Sequence, residues 1–402
     1  MRSLAVISLH TSPLAQPGTG DGGGMNVYVR ELVTSLAHRG VRCDVYTRRT
    51  SPDQPDEVLV EPGFRLFHLD AGAHDLPKER LPSILDEFTS RLGEALRRSP
   101  VEAIHAHYWL SAEVGHRLKH ELDLPLVVTF HTLARVKEAN GDPESAERLI
   151  SEDRTMSCAD TVLASCREEA AQLGRYYDLS PSRVAMVAPG VDHAIFSPGQ
   201  RWAARQALGL PEGPLALFVG RIQPLKGLDV AVGALARSRH PNLQMAVVGG
   251  PSGVEGLDHL AGVRKLAAET GVADRIHWFE PQPHHLLSGF YRAADVCLVP
   301  SRSESFGLVA LEASACGTPV VATEVGGLID LVDHSLTGFL ARERTAAVFG
   351  DHLDALIGNE LMAMAMGGAA ATKATGYTWS RAAADLDEVL HRITSRAPVS
   401  CA

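Results

Sequence analysis

Two glutamates eight residues apart, Glu304 and Glu312, bracket a short segment with Phe306-Gly307 between them. Apolar residues at helical spacing run up to the second glutamate. Ionised carboxylates at such positions can accept hydrogen bonds from hydroxyl groups or act as acid and base. The strand-like run Val296-Cys297-Leu298-Val299-Pro300 precedes the pair, and Gly317-Thr318-Pro319 with Val320-Val321-Ala322 follows it. That order places Glu304 on a loop at the carboxyl end of a parallel strand. Glu312 then falls about two helical turns further on, near the same face. Ligands bind at such loops in open α/β sheets.

A second cluster is cationic. Gly220-Arg221-Ile222-Gln223-Pro224-Leu225-Lys226-Gly227 follows the strand-like run Leu215–Val219. Arg221 and Lys226, five apart at a strand-to-helix turn, can converge on one diphosphate, the first with planar paired donors and the second as a mobile point charge. A third candidate is the Gly-rich segment from Pro17 to Gly24, followed by a helix whose apolar face is Val27, Val29, Leu32, Val33 and Leu36. Adjacent glycines let a backbone approach a ligand closely, and a helix N-terminus favours anions. The fingerprint Gly-x-Gly-x-x-Gly occurs there, but Tyr46-Thr47-Arg48-Arg49 stands where a dinucleotide site needs an acid after strand two. A dinucleotide reading is therefore disfavoured.

Apolar strand-like runs alternate with longer amphipathic segments, which argues βαβ units and parallel sheets. The runs are Leu4–Leu9, Cys43–Tyr46, Ala103–His105, Leu126–Thr129 and Thr161–Ala164, then a second series from Leu215 to about residue 376. Turn-formers around residues 187–199 divide the two. The expected class is α/β with two Rossmann-like domains, 1–195 and 196–377, and a terminal helix within 378–402 free to pack back on the first. A chain of 402 residues suits two cores. The net charge of -10 argues against a nucleic-acid partner. No apolar run reaches membrane-spanning length, and the apolar start flows into His10-Thr11-Ser12-Pro13 without a cleavage site, so a first buried strand is expected there. Six scattered cysteines with no Cys-x-x-Cys pair read as reduced, mostly buried thiols of a cytoplasmic protein.

These residues resemble the retaining nucleotide-sugar glycosyltransferases of family four, which have the GT-B fold, with two parallel sheets facing across a cleft. The glutamate pair with seven residues between matches Glu304 to Glu312, and the Val-Gly-Arg-x-x-x-x-Lys-Gly motif matches Val219 to Gly227. The segment from His10 to Tyr28, together with His107-Tyr108-Trp109-Leu110-Ser111 and His131-Thr132-Leu133, is similar to members that serve mycothiol biosynthesis. The resemblance implies a donor site of Gly23, Gly24, Arg221, Lys226, Glu304, Ser305, Phe306, Gly307, Leu308 and Glu312. Glu312 would hold the ribose, Glu304 the transferred sugar, and His131 the sugar near its C6 hydroxyl. Arg221, Lys226, Glu304 and His131 carry the catalytic roles. Asn26, Lys78, Tyr108, Thr132 and Arg148 occupy the acceptor positions. Taken alone, Lys78 and Arg148 would read as solvated charges; their positions reverse that reading. The chain departs from the pattern at residues 136–143, which are shorter, and at 151–155 and 164–166.

The resemblance implies UDP-GlcNAc as donor and 1D-myo-inositol 3-phosphate as acceptor. An antibiotic-pathway transferase with a non-inositol or thiol acceptor, and a nucleotide-sugar 2-epimerase, are the alternatives. Front-face attack is expected, with the departing diphosphate taking the acceptor proton, because no nucleophile is evident on the sugar's β-face. The two domains are expected to close over the donor, hinged near 190–200 and 376–380. A homodimer would be unsurprising by analogy. No cofactor is called for in catalysis and no metal site is assigned, although backbone carbonyls could hold a structural Mg²⁺. His105-Ala106-His107 is read as pointing its imidazoles to opposite sides of a strand, and Asp385-Leu386-Asp387 as a solvated helix face.

Overall fold

The computed structural model describes residues 2–18, 20, 22–253 and 255–399. Thr19 and Asp21 of the Gly-rich segment, and Cys401, lie outside the described residues. The chain divides into two compact units. The first comprises Met1–Ala15, Met25–Ala188 and Trp379–Ala402, and the second Gln16–Gly24 and Pro189–Thr378.

The first unit is built on β1 (Ser3–Ile7), β2 (Arg42–Arg48), β3 (Glu57–Glu61), β4 (Phe64–Leu69), β5 (Ala103–His107), β6 (Leu126–Thr129), β7 (Thr161–Ala164) and β8 (Val184–Met186). They form one sheet in the order β3-β4-β2-β1-β5-β6-β7-β8, parallel except for β3, which is antiparallel to β4. Strands covered on both faces need continuous apolar runs, and Leu4, Ala5, Val6 and Ile7 are fully buried. The hairpin of β3 and β4, turned at Gly63 with φ +88°, was not among the expected strands. The helix Gly24–His38 buries the expected face of Val27, Val29, Leu32, Val33 and Leu36. The terminal helix Trp379–Thr394 buries Ala382, Leu386, Leu390 and Ile393 within this unit, while Asp387 meets Arg39 at 3.3 Å.

The second unit carries β9 (Leu215–Val219), β10 (Gln244–Val248), β11 (Ile276–Phe279), β12 (Val296–Val299), β13 (Val320–Thr323) and β14 (Gly338–Ala341). Its sheet is wholly parallel in the order β11-β10-β9-β12-β13-β14. Its core joins Phe218, Met245, Leu298 and Val321 to Phe349 and Leu353 of the helix Ala346–Ile357.

The parallel strands of each sheet reverse their order once, between β1 and β5 in the first unit and between β9 and β12 in the second. At such a reversal the connections leave to opposite sides, which opens a crevice at the carboxyl ends of the strands. The loops after β1, β5, β9 and β12 are therefore where each unit can hold a ligand. Among the described residues no helix is long and apolar enough to cross a membrane.

Two sequence readings are corrected. Residues two apart on a strand share a face, and the His105 and His107 rings lie on one side of β5 with centroids 4.0 Å apart. Of the cysteines, Cys43, Cys166, Cys297 and Cys316 are free and buried, but Cys158 is disulfide-bonded.

Candidate active site

In the first unit Tyr108 follows β5 directly and His131 stands two residues beyond β6, both with left-handed backbone (φ 74° and 62°). That conformation is rare for bulky residues and is tolerated where the surroundings over-determine it. The Tyr108 ring is the centre of a cluster. Lys78 Nζ and Arg148 Cζ each lie 5.0 Å from its centroid, within cation–π range, and the His10 ring beyond β1 is 4.6 Å away. Arg148 Nη2 donates to Thr132 Oγ1 (3.0 Å) and to the Thr132 carbonyl (2.8 Å). Lys78, Tyr108, Thr132 and Arg148 are thus brought together beside the reversal between β1 and β5.

Arg148 is almost wholly buried and is met by two carboxylates, Glu152 at 2.7 Å and Glu144 at 3.1 Å. Burial lowers its pKa, but Tyr108, Glu152 and Glu144 outweigh that and hold it above its usual range. Glu144 also pairs with Lys137. Lys137, within residues 136–143, is therefore linked to Arg148 through Glu144. Neither carboxylate was singled out in the sequence, where isolated acids read as surface charge. Asn26 is buried, and its amide donates to Thr11 Oγ1 at 2.7 Å and the Ser12 carbonyl at 2.6 Å, so it fixes the loop after β1.

His131 sits on a buried imidazole chain. His131 Nε2 and His107 Nδ1 are 3.0 Å apart, and His105 Nε2 lies 2.9 Å from Thr129 Oγ1. Tyr28 packs edge-on against His131 at 5.0 Å. Burial pushes His131 down to about 3. Burial, with the neighbouring His131, pushes His105 to about 3 as well, and His107 falls well below its ordinary value for the same reasons. His131 keeps a part-exposed edge, whereas His105 is almost fully enclosed. All three rings are neutral near pH 7, and a neutral pair can share one hydrogen bond where two imidazoliums would repel.

In the second unit Arg221 and Lys226 follow β9, and Glu304 follows β12, on either side of the strand reversal. Lys226 Nζ donates to Glu304 Oε2 at 2.6 Å, and Ser301 Oγ to the same oxygen at 3.2 Å. The sequence reading gave these two residues separate duties; the structure pairs them. Gly227, at φ +76°, lets the turn approach the next strand, since a Cβ there would lie 2.2 Å from the Pro300 carbonyl oxygen. Gly326, at φ +51°, does the same beneath Glu304, where a Cβ would come within 1.7 Å of the Glu304 carbonyl oxygen. The Glu304 loop is thus held from both sides.

Ser305, Phe306 and Gly307 lead into the helix Leu308–Ala315, which no side chain caps. Its first N–H groups and dipole make an anion seat. Residues 16–24 belong to this unit: Gln16 Nε2 donates to the Pro281 carbonyl (3.0 Å) and Ser252 Oγ to the Gly20 carbonyl (2.7 Å). A Cβ on Gly23 would stand 3.4 Å from Arg221 Nε, and one on Gly24 3.4 Å from Leu308 Cδ1. Gly23, Gly24, Arg221 and Leu308 therefore line one place.

Glu312 is buried and engaged at both oxygens, by His284 Nε2 (2.7 Å) and by Tyr291 Oη (2.7 Å). A carboxylate has about four acceptor positions, so two remain for the hydroxyls of a ligand. His284 was missed in the sequence. It follows β11, directly after Pro281-Gln282-Pro283, and the rule that located Glu304 after β12 applies to it equally. Among the described residues, ligand atoms of His116, His120 and Cys158 lie within 4.8 Å of one another, apart from the residues above, with Cys158 held in its disulfide.

Residues 200–373 match the family model described as glycosyl transferases group 1, and residues 23–190 match a glycosyl transferase 4-like domain. A D-inositol 3-phosphate glycosyltransferase of Kribbella flavida is 45% identical over 394 residues, covering 94% of this chain and 93% of the relative. A protein of the same name from Actinosynnema mirum is 44% identical, covering 95% of both. Among solved structures, a sucrose-phosphate synthase from Thermosynechococcus elongatus superposes with a TM-score of 0.92 at 31% identity, covering 98% of this chain and 100% of its own. WaaG, a glycosyltransferase involved in lipopolysaccharide biosynthesis, has a TM-score of 0.74 at 20% identity over 96% of this chain and 99% of its own, a likeness of fold.

Proposed function

The chain belongs to the group 1 glycosyl transferases, and from that premise we propose that it moves N-acetylglucosamine from UDP-GlcNAc to 1D-myo-inositol 3-phosphate with retention at the anomeric carbon. The observation that carries the acceptor reading is the cluster around Tyr108. Two cations, Lys78 and Arg148, with the Thr132 hydroxyl, offer donors of the kind a phosphate monoester accepts. Arg148 is fixed by Glu144 and Glu152, and Lys78, on its short 3-10 turn, is the adjustable partner. Relatives named for D-inositol 3-phosphate support the same acceptor.

In this reading the donor diphosphate lies against Gly23, Gly24 and the N-terminus of the helix Leu308–Ala315, between Arg221 and Lys226. Glu312, oriented by Tyr291 and His284, accepts from the ribose hydroxyls. Glu304 accepts from the transferred sugar while its other oxygen keeps Lys226 in register. His131, a neutral imidazole backed by His107, hydrogen-bonds the sugar near C6. As the anomeric bond breaks, negative charge gathers on the departing diphosphate, and Arg221 and Lys226 stabilise it where a divalent ion would otherwise serve. The acceptor hydroxyl attacks from the side the diphosphate leaves, and its proton passes to a diphosphate oxygen.

The test is transfer of label from UDP-GlcNAc to a panel of inositol 3-phosphate, free inositol and a small thiol, with donor alone as a further arm. Product with inositol 3-phosphate alone is expected. Equal transfer to free inositol or the thiol overturns the acceptor, and epimerised sugar from donor alone overturns the transfer.

A further inference from the structure

We propose that Arg344 is a positioning residue for the transfer: its guanidinium ties the turn that carries Lys226 to the loop that carries Glu304. The proposal rests on the reading of Lys226 as the cation that meets the departing diphosphate. The connections after β9 and β12 leave the strand reversal to opposite sides. The pairing of β12 with β9 also stops at Cys297 and Leu217, two residues short of both strand ends. What leaves those ends must be held together by other means. A backbone bond from Arg302 N to the Leu225 carbonyl, at 2.8 Å, is one such link.

Arg344 supplies a second. Its Nε donates to the Pro300 carbonyl at 2.7 Å and its Nη2 to the Pro224 carbonyl at 2.9 Å. Pro300 follows β12 and Pro224 opens the Lys226 turn, so one planar fork spans both loops. Two carbonyls cannot bond each other, and a donor between them satisfies both. A Cβ on Gly227 would fall 2.7 Å from Arg344 Nη2, so the guanidinium fills the face of the turn that this glycine leaves open. Asp229 Oδ1, at 3.7 Å from Nη2, keeps an opposite charge on the same side.

The stem of Arg344 is itself fixed. It stands three residues beyond β14, and the next residue, Thr345, caps the helix Ala346–Ile357 by accepting from Val348 N. That helix packs on the helix Leu228–Arg237, which begins directly after the Lys226 turn. The approach is close: a Cβ on Gly233 would lie 2.7 Å from Ala346 Cβ. Arg344 and the turn it holds therefore share one support. Arg342, on the same loop, is exposed instead and pairs with Glu324 at 3.4 Å. With the fork in place Lys226 Nζ meets Glu304 Oε2 at 2.6 Å. Without it the two carbonyls lose a shared donor and the loops part, and a misplacement of about 1 Å at a reacting centre costs on the order of 100-fold.

The experiment is a double-mutant cycle on the full chain with Arg344→Met, Lys226→Ala and both changes together. It is read by steady-state kinetics and by calorimetric titration with UDP. Arg344→Met should lower kcat by about 10- to 100-fold with KM for the donor nearly unchanged, because the contact it sets is made in the transition state. In the Lys226→Ala background the same change should cost about 3-fold or less, since residues acting as a unit do not add. UDP should bind about 5-fold or more weakly in Arg344→Met, and no more weakly in the double variant than in Lys226→Ala. Arg344→Lys keeps the charge without the fork; its smaller loss should vanish in the same background, and it decides the matter if Arg344→Met does not fold. Arg342→Met should match the unaltered protein. Near-normal kcat in Arg344→Met, its full loss repeated without Lys226, or an equal loss in Arg342→Met overturns the proposal. Unaltered protein that binds UDP but transfers nothing overturns the transferase reading alone, because the UDP titrations still read the coupling.

Discussion

Lowering the pH from about 7 to about 5 should loosen the first unit well before any carboxylate needs protonating. His105, His107 and His131 stack at the carboxyl ends of β5 and β6, and burial holds all three neutral. Their sign follows from linkage: between the folded and unfolded pKa values the unfolded chain binds protons that the folded one refuses, so stability falls as pH falls. For His105, at about 3 in the fold against 6.5 in the open chain, the window runs downward from 6.5. At about 1.4 kcal/mol per pH unit, that ring alone costs about 2 kcal/mol between about pH 7 and 5. His131 adds a smaller share because of its exposed edge, and His107 acts in the same direction. Two kcal/mol is a large part of the roughly 5–15 kcal/mol that holds a typical domain. A chain of two units need not unfold in one step, so the measurement is hydrogen exchange of amides in β5 and β6 at both pH values, corrected for intrinsic rates. Protection there should drop by about 30-fold or more, whereas the second unit's central strands change little. His105→Asn, less stable at neutral pH, should remove about 2 kcal/mol of that pH dependence. Equal protection at both pH values, or an unaltered dependence in His105→Asn, would refute the reasoning.

Other expectations follow from the two ligand clusters. Lys226→Ala should fold normally and lose about 100- to 1,000-fold in kcat, as expected for a group that stabilises charge on a leaving diphosphate; near-normal turnover would remove it from the site. Lys78→Ala should raise KM for the phosphorylated acceptor by about 10-fold or more, from one charge-assisted hydrogen bond of roughly 1.5–3 kcal/mol, with KM for the donor unchanged. Steady-state kinetics with each substrate varied in turn separates the two effects.

Much of the architecture was legible because parallel strands buried on both faces must be continuous apolar runs. Leu126–Thr129 and Thr161–Ala164 are strands at the expected bounds, and Glu304 and Glu312 occupy the expected loop and helix. Partners across the sheet were not legible. Nothing in the sequence aims Lys226 at Glu304, 78 residues away, or Tyr291 and His284 at Glu312, since those contacts arise from strand order. The neutral imidazoles were within reach of sequence alone: residues two apart on a strand share a face, and His105 with His107 was read the wrong way. The hairpin of β3 and β4 was passed over because its half-exposed strands lack a continuous apolar run. The disulfide at Cys158 could not be seen from scattered spacings, which carry no pairing information.

The most direct test of the central claim is NMR observation of UDP-GlcNAc and inositol 3-phosphate turning over with purified protein. The account expects UDP and a product whose anomeric proton reports the α-configuration of the donor, formed with the phosphorylated acceptor and not with free inositol. A β-linked product, or UDP and free sugar released with no transfer, would contradict it.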